Sequence, residues 1–229
     1  MKLEKKSIEL FGFIFIYALL FINAIIMHDS WVALISAFCG ITYTILAGKG
    51  VPICYPIGAT GSCFYAYLSF ISNLWGNLLL YICYYIPMQI IGFFRWNKNL
   101  KSDKYEIIKT TLSNKERIIL TVITTIVSII TIYILAHFGD KNPIIDGITT
   151  VFSILGMYLT VKRCLEQWII WIIVNGLSFI MWFEIALKGG RVYSTVFMWG
   201  VYFVLAIYFF IAWKKKLRMH NCMFCYIVY

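Results

Sequence analysis

The chain has 229 residues, 62% of them hydrophobic and 13% charged, with twenty lysines and arginines against ten aspartates and glutamates for a formal net charge of +10. A soluble domain is about 45–50% apolar and about 25% charged, so this surplus does not fit inside a soluble core, and composition excludes a soluble enzyme. The apolar residues run in continuous blocks of about 20, the length of a membrane-crossing helix, rather than in the ~10-residue alternating segments of a barrel, so the class is an all-α membrane protein.

Eight spans are expected in chain order: Leu10–Met27, Trp31–Ala47, Pro52–Ile71, Leu74–Phe94, Ile118–Phe138, Ile144–Val161, Gln167–Leu187 and Val192–Trp213. The first is about as long as the later ones and lacks a clear cleavage site, so it reads as a span rather than a removable leader. Spans three and four carry Pro52, Pro56, Pro87, Gly58, Gly61 and Gly92, residues that membrane helices tolerate where they bend around a cavity. The polar stretch from Arg95 to Arg117 is the one internal linker. Four of the seven cysteines (Cys39, Cys54, Cys63, Cys83) lie inside apolar blocks as small hydrophobes rather than as a disulfide framework. The tail holds Cys222 and Cys225 with His220, too few ligands at poor spacing for zinc. No metal or cofactor is expected, and no nucleophile elbow, phosphate loop or H-E-x-x-H is present to carry catalysis.

Charge sets the orientation. With the N-terminus inside, seventeen of the twenty basic residues fall on cytoplasmic segments, and only Lys141, Lys188 and Arg191 fall outside, as the positive-inside rule requires. Both termini are then cytoplasmic. The net positive charge is explained by topology and anionic lipid, with no nucleic-acid partner.

A faint repeat is visible. A shift of 117 residues puts Asp29 on Asp146, Ser36 on Ser153, Tyr85 on Tyr202 and Trp96 on Trp213. Spans two to four then match spans six to eight as parallel triplets, with the fifth span as an inverting linker helix and the first as an extra helix. This is a 3+1+3 arrangement of the SWEET-like kind, which places a pathway and a binding site between the triplets near the midplane. The expected divisions of the single membrane domain are 28–99 and 143–216 for the repeats, 100–142 for the linker and its helix, and 217–229 for a cytoplasmic tail.

The seventh span carries the sharpest signal. Trp168, Trp171 and Asn175 lie at i, i+3 and i+7, on one helical face. Asn175 stands roughly 13 Å above Glu166, near the middle of a ~30 Å core, where an unsatisfied amide costs a few kcal/mol. The three suit a flat, partly polar ligand; interfacial tryptophans and an interhelical hydrogen bond are the alternative. On the fourth span Tyr85 and Gln89 are one turn apart, at a depth matching Trp171. Asn77 and Tyr81 lie higher on the same span, where packing is the stronger reading. Tyr202 and Trp199 are weaker candidates on the eighth span. Glu166 lies at the inner end of a span, and Asp29, Asp146 and Glu184 near outer ends, so no carboxylate stands at mid-membrane for proton or sodium coupling. A uniporter is the simpler reading. With no buried Arg or Lys to meet a phosphate, its ligand is neutral or a delocalised cation.

The run Glu166-Gln167-Trp168-Ile169-Ile170-Trp171-Ile172-Ile173-Val174-Asn175 resembles the signature of the PnuC family of vitamin transporters, and Pro87–Trp96 resembles the family's segment before the central linker. Phe93 and Phe94 stand where Trp or Tyr is frequent, a mild departure. The resemblance extends to length, span order and linker position. It implies a full-length SWEET-like fold, often a homotrimer, in a bacterial inner membrane, importing nicotinamide riboside (an NAD precursor) by facilitated diffusion with trapping by intracellular phosphorylation. It also implies that Trp168, Trp171 and Asn175 contact the substrate, with Gln89 as partner. Thiamine and riboflavin carriers of the same family remain alternatives, since paired indoles suit those rings too.

Overall fold

The computed structural model describes residues 2–26, 30–71, 75–100, 106–139, 142–187 and 193–227. Asp29, Lys101, Lys104, Lys141, Lys188 and Arg191, and the side chains of Asn77, His220, Cys222 and Cys225, lie outside the described residues. The chain forms α1 (Lys2–Ile26), α2 (Trp31–Lys49), α3 (Cys54–Ile71), α4 (Trp75–Leu80), a π-helical turn (Tyr81–Tyr85), α5 (Ile86–Asn97), α6 (Asn114–His137), α7 (Pro143–Val161), α8 (Gln167–Leu187) and α9 (Tyr193–Ile227). Taking α4, the π turn and α5 as one, these are the eight expected spans. Two boundaries differ from expectation by more than four residues: α1 starts at Lys2, and α9 continues through the expected tail to Ile227. Nothing in the polar sequence after Trp213 breaks a helix, so the last span simply runs on.

Among the described residues four stretches are long and apolar enough to cross a bilayer (Leu78–Asn97, Asn114–His137, Pro143–Val161 and Val196–Arg218), with shorter apolar helical runs at Leu10–Ile26, Leu34–Lys49 and Gln167–Met181. Helices suit this setting because every mid-helix backbone group pairs within its own segment. Ile118, Ile119, Val122, Ile123, Ile126, Ile130 and Tyr133 on α6 are all exposed. In water such a face would be a liability; in a bilayer it is the lipid surface.

The π turn has a local cause. Ile86 N–H donates to Tyr81 O, five residues back. Pro87 follows at once, and in regular α geometry its ring would press on the carbonyl four residues earlier. Widening the turn relieves that clash and directs Tyr84 outward, where its hydroxyl donates to Ile154 O of α7 at 2.6 Å.

α2 packs on α3 and α3 on α5; α7 packs on α8 and α8 on α9. The groups meet where α2 lies against α9 and α5 against α7, while α6 packs on α7 and α1 on α2 and α9. At the basic end α2 and α7 finish alike. Gly50 (φ 77°) and Arg163 (φ 64°) turn left-handed, and the next residues close the helices through Val51 N–H to Leu46 O and Cys164 N–H to Leu159 O. Arg163 tolerates a conformation that suits glycine, at a cost of order 1 kcal/mol, and its guanidinium donates to Ile108 O at 3.0 Å.

The central linker is a built element rather than a loose tether. Ile107 is fully buried, and its N–H donates to Gly50 O at 2.9 Å. Thr110 pairs with the α7–α8 loop through its N–H to Arg163 O (3.0 Å) and its carbonyl from Leu165 N–H (2.9 Å). Lys109 is buried, donates to Glu106 and stands 4.9 Å over the Trp213 ring; Lys216 reaches the same carboxylate at 2.7 Å. Burial pushes Glu106 up, but the two lysines outweigh it and hold the carboxyl below its ordinary value of 4.5. Ser113 and Glu116 then form a capping box that starts α6. Glu166 accepts from Arg117 at 2.8 Å and from Leu112 N–H at 3.2 Å, which places it in the frame of the basic end.

Candidate functional site

Between the helices lies a cavity whose empty space, the open solvent at its mouth included, is ≈ 1120 Å³. Trp168, Trp171, Asn175, Gln89, Tyr85 and Tyr202 all line it, as do Tyr81 and Trp199. The Asn77 side chain lies outside the described residues. Among the described residues no Asp, Glu, Lys or Arg contributes to the wall.

α8 supplies three of these side chains from one face. Trp171 is half-buried, with its ring lying where a Cβ on Gly156 would stand 3.1 Å away, and its indole N–H donates to Thr160 Oγ1 at 3.1 Å. Thr160 in turn donates to Gly156 O at 2.8 Å. The glycine admits the ring and the threonine fixes its tilt. Trp168 is only 3% exposed, packed at 5.3 Å against Phe209 and edge-on at 5.7 Å against Trp213. Most of its surface therefore holds the basic end of the cavity shut, more than the sequence pattern suggests. Asn175 is 5% exposed and contributes to the cavity wall.

On the opposite wall α3 and α5 meet closely. Gln89 Nε2 donates to Ser62 Oγ at 2.8 Å, while its Oε1 is buried without a partner. Gly58 makes the room: a Cβ there would come within 2.5 Å of Tyr43 and 3.1 Å of Gln89 Oε1. Gly40 does the same for Tyr202, whose hydroxyl would stand 2.3 Å from an added Cβ. An aromatic group continues from here, with Tyr65 stacked on Tyr81 at 4.5 Å and Tyr81 against Tyr85 at 4.9 Å. Tyr43 crosses to the other side, donating to Met157 Sδ at 3.7 Å. The cavity thus offers aromatic faces at both ends and uncharged polar groups between, suited to a flat cationic or neutral ligand.

Sequence reasoning missed Ser62, Tyr43, Tyr65, Ser153, Met157, Thr160 and Gln167, all on the cavity wall. Ser36 and Ser153, paired by the internal repeat, both reach it, so that match held a usable signal. Gly58 and Gly61 were legible only as bends. Their role as slots depends on which aromatic ring lies opposite.

Comparison with known proteins follows the same lines. Residues 30–215 match the family model described as nicotinamide mononucleotide transporter. The nicotinamide riboside transporter PnuC of Neisseria mucosa is 31% identical over 222 residues, covering 94% of this chain and 83% of that protein. Its namesake in Haemophilus influenzae is 31% identical over 195 residues, covering 84% of this chain and 83% of the other. A crystal structure of the vitamin B3 transporter PnuC superposes with a TM-score of 0.76 at 28% identity, over 90% of each chain. With the family model spanning most of its helices and relatives alike along most of their length, this chain belongs to the PnuC family of membrane transporters.

Proposed function

We propose that this protein carries nicotinamide riboside across the membrane by facilitated diffusion. The observation that carries the reading is the uncharged, aromatic cavity lined by Trp168, Trp171, Asn175 and Gln89. A pyridinium ring over indole faces gains about 1–2 kcal/mol when desolvated, and Asn175 and Gln89 match a carboxamide or ribose hydroxyls. The matching family model is named for the phosphorylated nucleotide and the relatives for the riboside. The riboside is favoured here because a phosphate would meet no cation on the described wall. The same argument supports trapping: phosphorylation inside the cell adds a charge that the cavity does not pair.

The proposed architecture is two like-oriented triplets, 28–99 and 143–216, joined by the linker helix in 100–142, with α1 as an extra helix. Its support is the reciprocal packing of α2 on α9 and of α5 on α7, and the matched left-handed ends of α2 and α7. The basic end faces the cytoplasm in this reading, with both termini inside.

The deciding experiment is counterflow in proteoliposomes with labelled nicotinamide riboside, nicotinamide mononucleotide, thiamine and riboflavin. Exchange of the riboside alone is expected. Exchange of thiamine or riboflavin in its place would reassign the substrate, and exchange of the mononucleotide would overturn the charge argument.

A further inference from the structure

Six buried side-chain polar atoms lack a hydrogen-bond partner among the described residues, and three of them belong to residues on the cavity wall: Gln89 Oε1, Gln167 Nε2 and Trp168 Nε1. Gln167 is 1% exposed and Trp168 3%, so neither donor is satisfied by bulk water. An orphaned buried donor is destabilising, and the two belong to successive residues at the start of α8. Helix capping does not explain them. Gln167 N–H bonds Cys164 O and Trp168 N–H bonds Leu165 O in the turn before the helix, so the backbone there needs nothing from the Gln167 amide. Packing does not explain them either, because an apolar side chain of the same length would fill the site without the penalty.

We propose that Gln167 is a ligand-contacting residue, and that with the Trp168 indole N–H it forms a donor pair taking a neutral oxygen acceptor of the transported molecule. The inference rests on the riboside reading above. The opposite wall has the complementary polarity. Ser62 accepts one N–H of the Gln89 amide, while the amide oxygen is buried without a partner. The cavity therefore asks its ligand for an acceptor at the α8 side and a donor at the α3–α5 side. Nicotinamide riboside presents both, in its carboxamide and in its sugar hydroxyls. The oxygen reaching Gln167 comes from one of those two sources.

The test is equilibrium binding by the full-length protein in detergent, with nicotinamide riboside and with 1-methylnicotinamide, which is methylated on the ring nitrogen and so keeps the cationic ring and carboxamide but has no sugar. Gln167→Met removes the donor at constant length, and Trp168→Phe removes the indole N–H while keeping an aromatic ring. Each is expected to weaken riboside binding about tenfold, while the ligand-free melting temperature of Gln167→Met stays level or rises because a buried unpaired group is gone. Weakening confined to the riboside assigns the acceptor to the sugar; equal weakening of both ligands assigns it to the carboxamide. Riboside affinity within twofold of wild type in Gln167→Met overturns the inference, as does a melting temperature that falls in step with affinity. Wild-type protein that fails to bind the riboside at all refutes the functional reading instead, so the two failures are distinct.

Discussion

The Trp171 indole does two things at once. One edge is held by Thr160 and Gly156, and the remaining face looks into the cavity. Trp171→Ala is therefore expected to weaken riboside binding at least tenfold, about 1.4 kcal/mol, with the fold intact because the ring is only half-buried. Titration calorimetry on the purified variant checks this, and unchanged affinity removes the aromatic site. Trp168→Ala differs: its ring supports Phe209 and Trp213, so it should cost stability as well as affinity. Periodicity made Trp168, Trp171 and Asn175 readable from sequence, because three side chains on one helical face remain together whatever that helix packs against. Gln167 stands immediately before the first of them in sequence, yet nothing in the pattern separates it from an interfacial polar residue. Its orphaned donor becomes visible only once α7 and α9 close around it.

At the scale of elements, the linker between α5 and α6 departs most from what its composition suggests. Its charge marks it only as a polar linker, but Ile107 and Lys109 are buried under Gly50 and Trp213. The pattern is hard to anticipate because Lys109 is stabilised by a carboxylate three residues away and by a ring from the far end of the chain. Glu106→Gln removes the carboxylate charge that both Lys109 and Lys216 reach, and is expected to lower the melting temperature at neutral pH. The sign with acid follows from Glu106 lying below its ordinary value of 4.5 in the folded protein. Its contribution is complete above 4.5 and is lost as pH falls through the lowered value. The melting temperatures of wild type and Glu106→Gln should therefore differ at neutral pH and converge well below 4.5; a gap that stays constant into acid would mean the charge of Glu106 contributes nothing. The π turn in the fourth span was half legible. Pro87 marked a distortion, but only the geometry shows it as a widened turn that sends Tyr84 to α7 and leaves Tyr81 and Tyr85 on the cavity.

For the molecule as a whole, span number and order were readable because hydropathy alone separates lipid-crossing blocks from linkers. How the blocks meet was not, since like-oriented triplets and other bundles share one hydropathy profile. Two tryptophans brought into register by the internal repeat bear on this directly. Trp96 of α5 donates to Thr160 O of α7 at 3.0 Å, and Trp213 of α9 donates to Gly48 O of α2 at 2.6 Å. Each runs from the third helix of one proposed triplet to the first helix of the other, and both rings are buried at 1% exposure or less. Each also stands edge-on to an aromatic at the start of the middle helix, Tyr55 for Trp96 and Trp168 for Trp213. If the triplets are equivalent, Trp96→Phe and Trp213→Phe remove equivalent indole bonds, a loss of about 1 kcal/mol apiece, with Thr160 O still accepting from Arg163 N–H. The two variants should lower the melting temperature in detergent by similar amounts. Trp213→Phe also loses part of the ring beneath Lys109, so a modestly larger drop there is expected and disappears when both are compared in the Lys109→Met background. A near-neutral Trp96→Phe beside a severe Trp213→Phe in that background would mean that one crossing alone holds the halves together, and the two-repeat architecture would lose its main physical support.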